Sequence, residues 1–96
     1  MNESLEKDQL FQAALLGVDA EKFLSSPVGV MLWKRADEKI ERASRELITV
    51  DPFDSAKIRE LQNDAKLGAM FKTWMVDAID DGNNAMTEME REDRPE

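Results

Sequence analysis

The chain has 96 residues, with 13 Lys plus Arg against 21 Asp plus Glu, a formal net charge of −8, and no cysteine, histidine or tyrosine. That length admits one small domain, which excludes two-domain and barrel enzymes. Without Cys or His, zinc fingers, thiol redox chemistry, cysteine nucleophiles and histidine bases are also excluded.

Nothing alternates in the manner of a strand, and helix formers dominate, so the expected fold class is all-α. Residues 5–25 read as short N-terminal helices. The first covers 5–16, with Leu10, Phe11, Ala13, Ala14, Leu15 and Leu16 on its apolar side and Gly17 as a left-handed C-terminal cap. Asp19 can cap a second, with Ala20, Phe23 and Leu24 as its stripe.

Ser26-Pro27 is the clearest start signal, because serine caps and proline suits the first helical position. A helix over 27–50 follows. Leu32, Ala36, Ile40, Ala43 and Leu47 recur on one of its faces, and Lys34, Asp37, Glu38, Glu41, Arg42 and Arg45 lie opposite.

Asp51-Pro52-Phe53-Asp54 stops that helix and starts another, with either aspartate available as a cap. The next helix reads as 54–89. Its seam runs through Ile58, Leu61, Ala65, Gly68, Phe71, Met75, Ala78, Gly82, Ala85 and Met89, close to the 3.5-residue period of packed helices. Ile79 to Asn84 is the place where it can end, kink or run on as an exposed stretch of continuous helix. Residues 90–96 read as a frayed acidic tail.

So short a connection makes the two long helices an antiparallel hairpin. Folding about Pro52 sets Leu47 near Ile58, Ala43 near Leu61 and Ile40 near Ala65. It also sets Ala36 near Gly68, Trp33 near Phe71 and Gly29 near Met75. The second helix then overshoots its partner. Its surplus carries Ile79, Ala85, Met86 and Met89, and the apolar face widens near Trp74. The N-terminal helices could fold back over the surplus through Phe11, Leu15 and Phe23, giving a compact monomer, but the wider face near Trp74 should claim them first. Trp74, Ile79, Ala85, Met86 and Met89 are therefore the expected interface residues, the exposed strip going to a second chain. A homodimer or higher oligomer is the simplest outcome.

The chemistry on offer is thin. Residues 76–96 hold eight carboxylates and two cations, a net of −6. Asp77, Asp80, Asp81 and Glu88 make an acidic patch there, read as a solvated helix face or as a surface for a basic partner. An EF-hand starting at Asp77 would put Ile79 at a ligand position, so the calcium motif fails. The glycines are isolated, leaving no phosphate loop, and Ser25 and Ser26 lack a histidine to activate them. The reading is of no enzyme, no catalytic, cofactor-binding or metal residues, and no cofactor. Net acidity argues against direct nucleic-acid binding. No run is long and apolar enough for a membrane span, and no basic stretch precedes an apolar run at the start, so a cytoplasmic protein is expected.

Four runs carry a resemblance: residues 16–24 (LGVDAEKFL), 50–54 (VDPFD), 58–63 (IRELQN) and 74–82 (WMVDAIDDG). Together they resemble short helical proteins encoded by tailed bacteriophages, often near head and packaging genes. The likeness spans about residues 15–85 and rests on turn and packing residues. It implies a viral protein in the cytoplasm of a host bacterium, or carried in the virion, that acts through protein–protein contacts. Its partner would be itself or a larger phage protein, and its work virion assembly. The alternative is an acidic inhibitor that engages a basic host protein, such as a host enzyme or defence complex, as a nucleic-acid mimic.

Overall fold

A computed structural model describes the backbone of residues 2–93 and the side chains of residues 4–93. Among these the regular structure is entirely helical: α1 (Asn2–Ser25), α2 (Pro27–Thr49) and α3 (Ser55–Asp93). They form two compact units. One pairs α2 with α3 up to Trp74, and the other pairs α1 with α3 from Met75 onward. No described helix is long and apolar enough to cross a membrane.

The α2 unit is an antiparallel helical hairpin in the register read from the sequence. Its turn is built by two aspartates with different tasks. The Asp51 carboxylate accepts from the Phe53 N–H at 2.9 Å and holds the turn, while Asp54 accepts from the Lys57 N–H at 3.0 Å and caps α3. Ala43 and Leu61, opposite each other, are both 2% exposed. Trp33 meets Phe71 edge-on, with ring centroids 6.4 Å apart. Gly68 lies under the Ala36 backbone, so close that a Cβ there would fall 2.7 Å from the Ala36 carbonyl oxygen. The Lys72 ammonium sits 4.8 Å from the centre of the Trp33 ring and pairs with Asp37. On the other side of the hairpin Lys39 reaches Asp64 at 3.5 Å.

The α1 unit departs from the expectation in three ways. First, residues 5–25 are not short helices: α1 is one continuous helix of 24 residues, so the arrangement is not a long hairpin carrying short N-terminal pieces. Second, Gly17 is no cap. No described glycine has a positive φ, and Gly17 sits inside α1, buried against Gly82. Third, α3 runs unbroken through 79–84, one of the courses the sequence left open, and does not stop where expected. It continues to Asp93, beyond the expected end at Met89, while residues 94–96 lie outside the described part.

One physical cause accounts for all three. Ala13, Gly17 and Ala20 on α1 have the same small-residue spacing as Ala78, Gly82 and Ala85 on α3. The two runs cross antiparallel. A Cβ on Gly17 would fall 2.9 Å from the Gly82 Cα, and one on Gly82 would fall 3.0 Å from the Ala13 carbonyl oxygen. Backbones that touch along both runs need unbroken helix on both sides. Among the described residues the buried apolar side chains are Leu61 and five alanines: Ala14, Ala20, Ala36, Ala43 and Ala85. A core of such small side chains draws helices together but leaves larger ones at the rim.

Candidate interaction surfaces

The crossing overturns the expected cover. It is the surplus end of α3 that α1 packs on, not Trp74. Ala85 is 4% exposed, and Ile79 and Met89 are half-buried, so these three belong to the seam within the chain. Trp74 is 62% exposed, and Met86 lies open on the flank. Of the five expected interface residues, only Trp74 and Met86 remain exposed. Small residues decided this. The face near Trp74 is wider, but only the Gly82 run lets a second backbone come close enough for continuous contact.

Trp74 belongs to a stripe. Leu67, Met70 and Trp74 stand at i, i+3 and i+7 on α3, on one side of the helix, and all three are exposed. Such a stripe on an otherwise polar surface marks a place of contact.

α1 exposes more. Its small residues face α3, so the large ones stand on both flanks. Phe11, Leu15 and Val18 form one line, and Leu5, Leu16 and Phe23 form another. Phe11, Leu15 and Leu16, read from the sequence as the packed side of the first helix, are therefore exposed. The signal that would have placed them was the Ala13–Gly17–Ala20 spacing. A helix apolar nearly all round is normally covered on more than one side.

The acidic patch is formed as a helix face. Asp77, Asp81 and Glu88 share one side of α3, with Asp80 about a quarter-turn away, and all four are exposed. Glu88 pairs with Arg91 at 3.4 Å. Among the described residues Asp77, Asp80 and Asp81 make no ion pair. Residues 77–88 are helical throughout, a shape that cannot wrap a calcium ion as an EF-hand loop does. No group of three or more His, Cys, Asp or Glu among the described residues is placed to hold a metal ion.

By sequence, α1 and its loop end with α3 from Met75 onward (residues 1–26 and 75–96) carry 13 carboxylates and four cations, a net of −9. Residues 27–74 carry eight carboxylates and nine cations, a net of +1. The acidity is thus segregated into one unit. The α2 unit has a shallow groove of about 300 Å³ with Ala43 and Leu61 at its base and Arg35, Arg42, Glu46 and Asp64 around it. Its charges of opposite sign alternate, which suits no single class of ion.

The fold is thus that of a small helical protein whose exposed features are apolar helix flanks and an acidic face. No protein-family model, curated protein or solved structure matches the chain.

Proposed function

We propose that this protein works without catalysis, as an assembly accessory that docks on a larger protein through α1. The observation that carries the reading is the pair of exposed apolar lines on that helix, Phe11–Leu15–Val18 and Leu5–Leu16–Phe23. Apolar side chains of this size on both flanks are a standing drive to association, at roughly 25 cal/mol per Å² covered. The resemblance to small phage proteins gives the partner its class, a larger virion or head-assembly protein.

A second reading has its own observation. The net −9 of the α1 unit, with Asp77, Asp81 and Glu88 aligned on α3, supports an inhibitor that presents carboxylates to a protein surface built for phosphates. The two readings predict different captures. A photocrosslinking residue at Leu15 should trap a virion protein in producing cells, with the same probe at Lys34 as the control. Trapping at Asp81 of a host nucleic-acid enzyme, with none at Leu15, would favour inhibition. A Leu15→Glu variant that folds and still joins the same complex would refute docking through α1.

A further inference from the structure

We propose that α3 carries a self-complementary face on which a second copy of this chain docks antiparallel, about a two-fold axis between Met70 and Phe71. The proposal goes beyond the reading of α1 and uses different residues.

A two-fold interface brings one patch against itself, so the patch must complement its own inverted image. The exposed stripe on α3 does so. Leu67 and Trp74 are 59% and 62% exposed and lie at equal distances on either side of the axis, with Met70 between them. Antiparallel docking sets Leu67 of each copy beside Trp74 of the other.

The flanking charges invert in the same way. Toward the N-terminus of α3 the stripe is bordered by cations, Arg59 and Lys66. Toward the C-terminus it is bordered by carboxylates, Asp77 and Asp81. Inversion about the same axis brings Lys66 of one copy to Asp77 of the other, and Arg59 to Asp81. Each pair is level to within about 3 Å of helix rise. Arg59, Lys66 and Asp77 stand on the same side of the stripe, and residues on the same side face one another across an antiparallel two-fold. Parallel docking would instead leave Lys66 and Asp77 of the two copies on opposite flanks, with neither pair formed.

These charges are also uncommitted within the chain. All four are exposed, and among the described residues none makes an ion pair. Their neighbours do: Lys57 holds Glu60 at 3.6 Å, Lys39 holds Asp64 and Lys72 holds Asp37. Glu60, level with the incoming Asp81, is therefore already balanced by Lys57. The apolar stripe supplies the attraction, and the two Lys66–Asp77 pairs on its rim set its direction and register.

Sedimentation equilibrium of the full chain at micromolar concentration tests this, with circular dichroism to establish that each variant is folded. The wild type should sediment at twice 10.9 kDa. Met70→Glu should sediment as a monomer. Lys66→Asp and Asp77→Lys should each weaken the dimer about tenfold or more, since each creates two like-charge contacts. The double variant should recover to within about threefold of wild type. Because the chain has no cysteine, Met70→Cys should be cross-linked by a short bis-maleimide while Lys34→Cys should not. A wild-type monomer at concentrations up to about 100 µM would overturn the proposal. So would a dimer that survives Met70→Glu, or a charge swap that fails to restore association. Leu15→Glu should leave this dimer intact, so failure here and failure of docking through α1 are separate results.

Discussion

Gly82→Ala acts on the point where α1 and α3 come closest. In an open helix this change stabilises by about 1 kcal/mol, because alanine loses less backbone freedom on folding. Here the added methyl would lie 2.8 Å from the Gly17 Cα and 3.0 Å from the Ala13 carbonyl oxygen. Ordinary carbon contacts lie at about 3.5–4.0 Å, so the helices must part by roughly 0.7–1 Å. Both obstacles are backbone, and no side chain can swing aside to relieve them. A gap of that size forfeits about a quarter to a half of each dispersion contact along the crossing. Overpacking of this kind costs about 2–3 kcal/mol, and subtracting the propensity gain leaves a net loss of about 1–2 kcal/mol. Urea titration should show a lower midpoint at unchanged slope. Amide exchange should place the loosening in α1 and in α3 beyond Met75. Gly17→Ala should behave alike, and the double variant should lose less than the sum, because one separation relieves both clashes. A Gly82→Ala protein more stable than wild type by about 1 kcal/mol would show that the helices do not meet there.

Gly68→Ala should also destabilise, by about 1–2 kcal/mol in the same titration, because its methyl would press on the Ala36 carbonyl oxygen and on Ile40. Leu61→Ala should cost about 2–4 kcal/mol, since Leu61 is 2% exposed and is the largest buried side chain among the described residues of the α2 unit; a loss below about 0.5 kcal/mol would contradict the hairpin register. Asp54→Ala should cost about 1 kcal/mol through the lost cap on the Lys57 N–H, and Asp54→Asn should recover most of it. Thermal melts of the three variants, read beside the urea midpoints, check the order Leu61 above Gly68 above or equal to Asp54.

Much of the α2 unit was legible in the residues themselves. Pro27 and the Asp51–Asp54 turn mark where helices start and stop by local chemistry. The period of Ala36, Ala43, Leu61 and Gly68 states which faces meet, and a short turn leaves only an antiparallel pairing. Those rules act within a few residues of one another, so the pairing of Ala36 with Gly68 and of Trp33 with Phe71 follows from counting along the chain. The class of the fold and the exposed acidity of Asp77, Asp80, Asp81 and Glu88 are of the same kind.

The α1 unit was decided only in three dimensions. Gly17, taken alone, is a helix terminator, and Gly82 between aspartates and asparagines is a helix weakness. Each becomes a packing residue only because the other stands opposite, some 65 positions away along the chain. Local propensity weighs about 1 kcal/mol against glycine in a helix, and the contact along a whole crossing outweighs it. The same contact settled which apolar side chains are covered. Counting hydrophobic residues sent α1 toward Trp74, whereas the closeness of approach allowed by Ala13, Gly17 and Ala20 sent it to Ala78, Gly82 and Ala85. Phe11, Leu15 and Leu16 were left on the surface, because dispersion depends steeply on distance and small residues, not large ones, bring two helix backbones into contact.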